Sequence, residues 1–301
     1  GLREERTAHE SPSACLTGRS FLFFPKLFQQ TQFLTGPHAM TRPRRLPRPL
    51  LLLCTGFLFL VFGLAGLLFY FPFGPWLRLR HNDPGERTRA ARRIVCSWFG
   101  IFVKLCDRLG AVRVVVKNPE AFERPGQIFA PNHPSLIDVV VLLSLLPNGT
   151  TVVKKALLGN FFTRAPIRAA VYLTNDLGAE ALDRAREELA SGASFVIFPE
   201  GTRTPHDLKP GEAPRLHRGV AVLALETKTP LTPVRITAEP RWLTKEVAWW
   251  HLPETPMTLT VEALPSLPVE PHLNRYNGRI VLAARSLMRD CSSALFTPET
   301  H

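Results

Sequence analysis

QIFAPNHPSLIDVVVLLSLL, residues 127–146, carries the clearest information about the fold of this chain. Gln127–Ala130 is a short apolar run of strand-forming residues. Leu136–Leu146 is apolar and long enough for a helix, which Pro147-Asn148-Gly149 would end. A buried strand that leads through a short polar loop into a buried helix is the repeating unit of α/β domains. The segment therefore predicts an α/β fold.

Strands and helices continue to alternate on both sides of this unit. We predict further strands at Val112–Lys117, Thr151–Lys154, Val171–Thr174, Ser194–Phe198, Leu231–Thr237 and Thr258–Leu264. We predict further helices at Ala179–Ala190, Leu216–Thr227 and Arg279–Leu295. The alternation implies a mixed, largely buried sheet flanked by helices.

An uncharged segment runs from Pro49 to Leu77. Its core, residues 50–71, is long enough as a helix to cross a hydrocarbon layer about 30 Å thick. Arginines flank both ends, so charge leans only weakly towards a cytoplasmic C-terminal domain. We expect an N-terminal membrane-anchoring helix that either spans the bilayer or re-enters it. The helical pattern of Ile94–Leu109 fits an amphipathic helix at the membrane interface or a core helix equally well.

Composition limits the possible partners. The 301 residues contain 37 Lys and Arg against 25 Asp and Glu, which gives a formal net charge of +12. This excess favours nucleic acid, anionic lipid or a phosphorylated substrate. Nucleic-acid binding would explain the charge but not the apolar segment, so no nucleic-acid partner is expected. The five cysteines contain no C-x-x-C pair, and they fit reduced thiols or buried apolar residues.

His133 and Asp138 lie where the strand at Gln127–Ala130 gives way to the helix. The Asp138 carboxylate, about one turn into the helix, can bond one imidazole nitrogen and leave the other free. Such a pair fixes the tautomer and lets the histidine take a proton from a hydroxyl. Taken alone, the same residues favour a structural explanation, in which Ser135 caps the helix and the His–Asp bond is only structural.

Phe198-Pro199-Glu200-Gly201-Thr202-Arg203 directly follows a predicted strand. Turns after buried strands are common ligand sites in α/β folds. Gly201 allows close backbone approach, and the planar guanidinium of Arg203 suits a phosphate. Glu200 can orient Arg203 or a substrate hydroxyl. Taken alone, the motif is also explained by a turn with a local Glu–Arg pair.

The two motifs together, N-H-x4-D at 132–138 and F-P-E-G-T-R at 198–203, are similar to the signature of the glycerolipid acyltransferase family. That family includes the 1-acylglycerol-3-phosphate acyltransferases. Further ordered matches are Lys154-Lys155-Ala156-Leu157, His217-Arg218-Gly219 and Thr229-Pro230-Leu231-Thr232-Pro233-Val234. The resemblance covers roughly residues 95–265, and several ordered blocks are far more specific than one motif.

One block departs from the family pattern. The family's second block usually ends in an arginine that helps to hold the acceptor's phosphate, whereas the corresponding Val171–Asp176 contains none. Two alternatives remain open. Either another cation substitutes, from among Lys155, Arg164 and Arg168, or the acceptor lacks a terminal phosphate.

The resemblance implies an O-acyltransferase in which His133 is the general base and Asp138 its orienting partner. It places the acceptor against Asn132, Lys155, Glu200, Gly201, Thr202 and Arg203. Acyl-CoA or acyl-carrier protein would be the co-substrate, with no metal or other cofactor. A backbone N–H at the helix start near Ser135 is the candidate donor to the oxyanion.

The expected acceptor is a lysophospholipid, 1-acylglycerol-3-phosphate in phospholipid synthesis. The alternatives are a lysolipid without a terminal phosphate, of the lyso-ornithine lipid or lysophosphatidylcholine type, and a non-catalytic membrane lipid-binding protein. No G-x-S-x-G elbow, P-loop or dinucleotide fingerprint is present in the sequence, which argues against those enzyme classes.

Four segments are expected along the chain. Residues 1–39 read as an N-terminal extension without structure, and 40–93 as a basic segment with a membrane helix whose core is 50–71. Residues 94–265 form the expected acyltransferase domain, and 266–301 a connector and final helix. We expect the protein in the inner or cytoplasmic membrane, with its catalytic domain facing the cytoplasm.

Overall fold

The computed structural model describes residues 47–174, 178–205 and 212–297. Its α-helices are α1 (Arg48–Leu67), α2 (Phe73–Arg80), α3 (Pro84–Arg108), α4 (Asp138–Ser144), α5 (Phe161–Ala169), α6 (Gly178–Ala190), α7 (Gly219–Thr227), α8 (Glu270–Arg275) and α9 (Ile280–Phe296). Its strands are β1 (Val112–Lys117), β2 (Ile128–Pro131), β3 (Gly149–Val153), β4 (Leu173–Thr174), β5 (Ser194–Val196), β6 (Leu231–Glu239) and β7 (Met257–Ala263). Short 3-10 helices occupy Pro119–Phe122 and Lys155–Leu158.

The strands form one mixed sheet in the order β1-β7-β6-β2-β5-β3-β4. Strand β2 runs parallel to both of its neighbours, β5 and β6, and β5 runs parallel to β3. Only the β6–β7 pair is antiparallel among the described strands. The predicted mixed α/β sheet is therefore confirmed, and the carboxyl ends of β2, β3, β5 and β6 lie at one edge.

Helices cover both faces of this sheet. Adjacent residues of β2 point to opposite faces, and Ile128 and Phe129 are both fully buried. The Phe129 face packs against α3 and α4 and receives Leu58 of α1. The Ile128 face packs against α6, α7 and α9. Burial on both faces explains why the strands are nearly continuous apolar runs.

Helix α1 is, within the described residues, the one helix long and apolar enough to cross a membrane by length and composition. One side packs on the rest of the protein. Phe62 contacts the ring of Phe102 at 5.2 Å, and Gly66 lies against the backbone of Phe162. The other side is open, with Leu53 71% and Leu60 58% exposed. Residues 1–39 and the basic run before the helix lie outside the described residues.

Several boundaries differ from the sequence predictions. Helix α3 begins at Pro84 rather than near Ile94, because the Asp83 carboxylate accepts the Glu86 N–H at 2.6 Å and caps it. Eight of its 25 residues are buried, Ala91 and Val95 among them, so part of this helix packs in the core. Helices α2, α5 and α8 were not predicted, and α8 interrupts the segment expected to be a connector.

Candidate active site

The two motif segments meet at the carboxyl edge of the sheet. Residues 132–138 follow β2, and residues 197–204 follow β5. The two strands are hydrogen-bonded neighbours running in the same direction, with Phe129 opposite Val196. The loops that leave them therefore emerge side by side, although they are far apart in the sequence.

Asn132 fixes the point where the chain leaves β2. Its side-chain oxygen accepts the Ile236 N–H at 2.6 Å, and its side-chain nitrogen donates to the Ile236 carbonyl at 2.8 Å. The amide thus replaces one peptide unit in the β2–β6 ladder. Both of its polar atoms are bonded to the backbone, so we interpret Asn132 as a positioning residue rather than as the substrate ligand that was expected.

His133 and Asp138 are in direct contact. His133 Nδ1 lies 2.9 Å from Asp138 Oδ2, and Asp138 is fully buried. Because a carboxylate only accepts hydrogen bonds, Nδ1 carries the proton and Nε2 presents a lone pair. Nε2 has no hydrogen-bond partner among the described residues, and the His133 side chain is 18% exposed. This geometry leaves a basic nitrogen accessible to a ligand.

Ser135 does not act as the helix cap that the structural explanation assumed. Its hydroxyl donates to Asp138 Oδ1 at 2.6 Å, and its N–H donates to Asp138 Oδ2 at 2.8 Å. Helix α4 begins only at Asp138, after an N-cap at Ile137 that has no side-chain bond. The Ser135 N–H is therefore occupied and is not the oxyanion donor that was expected.

Glu200 and Thr204 hold the backbone of His133. Glu200 Oε1 accepts the His133 N–H at 2.9 Å and the Thr204 hydroxyl at 2.7 Å. The Thr204 N–H donates to the His133 carbonyl at 2.7 Å. The sequence predictions missed Thr204, and they expected Glu200 to orient Arg203 or a substrate hydroxyl. No ion pair joins Glu200 to Arg203 in the described structure.

The second carboxylate oxygen of Glu200 has a different environment. Oε2 is buried and has no hydrogen-bond partner among the described residues. Burial raises the pKa of the Glu200 carboxyl, although the bonds from Thr204 and His133 act in the opposite direction. Glu200 thus supports the histidine with one oxygen and keeps an unsatisfied acceptor beside it.

Phe198 and Gly201 shape the loop around the imidazole. The Phe198 ring lies 4.2 Å from the His133 ring, centroid to centroid. Gly201 has a φ of +64°, and a Cβ there would approach Cδ2 of His217 to 3.2 Å. The backbone conformation therefore favours glycine, and any larger residue would also crowd the His217 side chain. The predicted block at His217 lies next to the F-P-E-G-T-R loop.

Arg203 is held by a segment that sequence reasoning did not connect with the site. Its Nη1 donates to the carbonyls of Leu243 at 2.9 Å and Thr244 at 2.5 Å. Nε and Nη2 make no hydrogen bond within the described residues, so part of the guanidinium is available to a ligand. Thr202 is half-buried at the turn between Gly201 and Arg203.

The three basic residues that were expected to replace the missing arginine lie on segments that follow β3. Lys155 is exposed in the 3-10 helix that follows β3, at the same edge of the sheet as His133. Arg164 and Arg168 are exposed on α5. The block without an arginine contributes Leu173 to β4, and its Asn175 and Asp176 lie outside the described residues. The described part of the chain brings no three His, Cys, Asp or Glu side chains together as a metal site.

An apolar cavity of about 160 Å³ is lined in part by residues of α4 that follow Asp138 in the sequence. Val139, Val140 and Leu143 of α4 form one wall, starting immediately after Asp138. Helices α1, α3 and α5 supply the other walls through residues such as Phe62, Phe99 and Phe162. The apolar N-terminal helix thus completes a cavity that the α/β domain alone leaves open.

The central part of the chain matches a known protein family. Residues 113–237 match the family model described as Acyltransferase. The 1-acyl-sn-glycerol-3-phosphate acyltransferase of Cocos nucifera is 29% identical over 123 residues, which cover 38% of this chain and 39% of that protein. The lyso-ornithine lipid O-acyltransferase of Pseudomonas aeruginosa is 30% identical over 178 residues, or 54% of this chain and 60% of that protein. The chain therefore spans about two fifths of the length of the first relative and three fifths of the length of the second.

The fold also resembles a solved structure. The 1-acyl-sn-glycerophosphate (LPA) acyltransferase PlsC of Thermotoga maritima superimposes with a TM-score of 0.55 at 20% identity. The match covers 82% of this chain and 97% of that structure. At this identity the similarity describes the fold, and it includes most of the helices and strands given above.

Proposed function

We propose that this chain, whose residues 113–237 belong to the acyltransferase family, transfers a fatty acyl group from a thioester to a hydroxyl of a lysophospholipid. The observation that carries this proposal is the 2.9 Å contact between His133 Nδ1 and the buried Asp138, which leaves Nε2 basic and accessible. A general base in this position contributes roughly 10²–10⁴-fold to the rate.

The reaction is a direct transfer between two substrates. His133 Nε2 takes the proton from the acceptor hydroxyl while the hydroxyl oxygen attacks the thioester carbonyl carbon. The tetrahedral species collapses, the C–S bond breaks, and the leaving thiolate takes the proton from the imidazolium. Asp138 stabilises the imidazolium between these steps without taking its proton. Acyl-CoA or acyl-carrier protein supplies the thioester, and the residues need no metal or other cofactor.

The apolar cavity holds the acyl chain in this proposal. Its walls of Val, Leu and Phe side chains favour a hydrocarbon over water. In this proposal the carbonyl end of the chain leaves the cavity towards His133, since Val139 and Val140 of the cavity wall follow Asp138 in the sequence. The same cavity explains why an apolar helix packs on the catalytic domain.

The proposed acceptor is 1-acylglycerol-3-phosphate. The unbonded Nε and Nη2 of Arg203, at the edge of the site, suit a phosphate monoester. The relative from Cocos nucifera is named for this substrate. A lysolipid of the lyso-ornithine type is the second candidate, favoured by the absence of arginine from the block at Val171 and by the relative from Pseudomonas aeruginosa.

Membrane association follows from α1 and from the hydrophobic substrates. Contacts run along this helix, from Phe59 against Trp249 to Gly66 against Phe162. A helix surrounded by lipid over its full length would not have such contacts. We therefore propose that α1 lies in one leaflet beside the catalytic domain, with that domain facing the cytoplasm, where acyl thioesters are made.

The function is tested by product analysis. Membranes containing the full chain are supplied with acyl-CoA or acyl-carrier protein and with lysolipids that carry or lack a terminal phosphate, and products are identified by mass. We expect a diacyl product and free thiol in equal amounts, with 1-acylglycerol-3-phosphate preferred. Preference for lyso-ornithine lipid would support the second candidate, and absence of any acylated product would contradict the enzymatic function.

A further inference from the structure

The connection between β6 and β7 is much longer than the pairing requires. The two strands are antiparallel neighbours, with Glu239 opposite Thr258, and a hairpin of this kind closes with about 2–5 residues. This chain instead inserts residues 240–256. We call residues 240–254 the aromatic loop, because they include Trp242, Trp249 and Trp250. Trp242 is 3% exposed, so this loop is anchored in the core.

The first half of the aromatic loop is bonded to both motif segments of the candidate site. The Leu243 carbonyl accepts a hydrogen bond of 3.0 Å from the N–H of Leu136, which lies three residues after His133. The same carbonyl and that of Thr244 accept Arg203 Nη1. Leu243 adopts a φ of +57°, a conformation that leucine rarely adopts. The position of Arg203 therefore depends on the position of this loop.

The second half of the aromatic loop reaches α1. Trp249 packs on Phe59 with ring centroids 5.1 Å apart, and Glu254 lies 3.6 Å from Arg48. Trp250, which contacts Trp249 at 5.6 Å, is 56% exposed. Trp249 also faces Gly56 of α1, and on the same helix Leu53, Phe57 and Leu60 are each at least half exposed. The loop and the helix are thus in contact, and both present exposed apolar side chains.

We propose that the aromatic loop is a second membrane-binding element, in which Trp250 enters the bilayer interface beside α1 and thereby helps to position Arg203. A lipid bilayer is the occupant that fits, because the loop packs on the chain's membrane-type helix and presents an exposed tryptophan. Tryptophan favours the boundary between hydrocarbon and headgroups, where its ring is buried and its N–H can still be hydrogen-bonded. The proposal rests on the proposed function only for the role of Arg203.

The membrane contact is tested on the full chain without any acyl transfer. The wild type and Trp250→Phe are compared in vesicles of phosphatidylcholine and phosphatidylglycerol whose acyl chains carry bromine, a quencher of tryptophan fluorescence. We expect a quenched component in the wild type that Trp250→Phe lacks. Trp250→Ser should partition into unlabelled vesicles about tenfold more weakly, since it loses the burial of a large ring. Val281→Ser is the matched control, because Val281 is 58% exposed but lies on α9, at the other face of the sheet.

The positioning role is tested kinetically, with lysolipid presented in the same vesicles. We expect Trp250→Ser to raise the KM for the vesicle-borne acceptor about tenfold with kcat nearly unchanged, and Val281→Ser to change neither. The proposal would be overturned if wild type and Trp250→Phe were quenched equally and Trp250→Ser partitioned into vesicles as strongly as the wild type. It would also be overturned if the chain self-associated through a contact that covers Trp250. Clear quenching of Trp250 in a chain that acylates no lysolipid would uphold the membrane contact and refute the proposed function instead.

Discussion

The buried carboxylate of Asp138 accepts three hydrogen bonds, one from His133 Nδ1 and two from the N–H and hydroxyl of Ser135. All three donors require an acceptor, and a carboxylate offers one at each of its two oxygens. The orientation of the imidazole and its tautomer therefore depend on one side chain. Ser135 contributes by fixing that carboxylate rather than by touching a substrate.

Asp138→Asn tests this dependence. One acceptor oxygen becomes an NH₂ group, so at least one of the three donors loses its acceptor and the wrong tautomer of His133 is favoured. We expect kcat/KM for acyl transfer to fall by roughly 10²–10⁴-fold. Asp107→Asn is the control, because its partly exposed carboxylate lies 3.7 Å from Arg113, outside the site. A rate for Asp138→Asn equal to that of the control would exclude the proposed role.

The pKa of Glu200 gives a prediction for stability. Burial raises this pKa above the ordinary 4.5, so the folded chain retains the proton to a higher pH than the unfolded chain. This difference in pKa contributes to the free energy of unfolding. The contribution is complete below the pKa of Glu200 in the unfolded chain, and it is lost as the pH rises through the raised pKa of the folded chain. Glu200→Gln never ionises and keeps an oxygen acceptor for His133. We therefore expect Tm of the variant, relative to wild type, to increase as the pH rises from about 4 towards neutrality.

Thermal unfolding of both proteins in the same detergent over this pH range provides the measurement. Parallel Tm curves for wild type and Glu200→Gln would show that the carboxyl titrates normally in the folded state. The lone Oε2 would then have to be solvated.

At this scale, the sequence predicts contacts within one local segment. The spacing of His133 and Asp138 is enough to predict their hydrogen bond, because both lie on one strand-to-helix connection. The bond from the His133 N–H to Glu200 joins residues 67 positions apart, and those from Arg203 to Leu243 and Thr244 join loops from different strands. No local pattern encodes such pairs, which explains why the sequence did not predict these backbone partners of Glu200 and Arg203.

Among the elements, α1 presents two glycines to α5, Gly63 and Gly66, which differ in how closely they pack. A Cβ on Gly66 would lie 1.8 Å from the Phe162 carbonyl oxygen, whereas a Cβ on Gly63 would meet only the Phe162 ring at 3.8 Å. The first distance requires backbone movement, and the second is an ordinary contact. Alanine at Gly66 therefore tests how closely α1 packs on α5, whereas alanine at Gly63 tests only the preference of the residue for a helix.

We expect Gly66→Ala to lower the free energy of unfolding by roughly 1–3 kcal/mol through overpacking. Gly63→Ala should leave it unchanged or raise it by up to about 1 kcal/mol, because alanine favours the helix. Denaturant unfolding of the full chain in detergent measures both effects. Equal responses of the two variants would mean that α1 does not pack on α5.

Regular patterns also decide which elements can be predicted. Strand β1 agrees with its predicted bounds, Val112–Lys117, because β-branched residues fill it and Gly110 precedes it. Helix α5 was missed because it contains Pro166 and is only nine residues long. Helix α2 was not predicted because it is only eight residues long and follows Pro72, a residue type that usually ends a helix pattern.

For the whole molecule, Arg92 connects parts that are distant in sequence. Its fully buried guanidinium donates to the Ala170 carbonyl at 3.0 Å, to Asn148 Oδ1 at 3.2 Å and to Glu188 at 2.7 Å. These bonds join α3 to the end of α5, to the turn before β3 and to α6. Neither the order of strands in the sheet nor this buried cation follows from local periodicity, since both depend on tertiary packing.

Arg92→Leu is expected to lower the free energy of unfolding by about 2 kcal/mol, because it leaves buried acceptors without donors. Arg93→Leu is the matched control, since Arg93 is the next residue of α3 and is exposed; its effect should stay within about 0.5 kcal/mol. Similar losses for the two variants in denaturant unfolding would show that the buried bonds contribute little.

The role of His133 is tested most directly by His133→Ala in a membrane preparation supplied with labelled acyl thioester and lysolipid. Loss of the base should reduce acyl transfer by at least about 10²-fold, while the variant stays in the membrane because α1 is unaltered. Turnover equal to that of the wild type, with the variant equally abundant in the membrane, would contradict proton abstraction by His133.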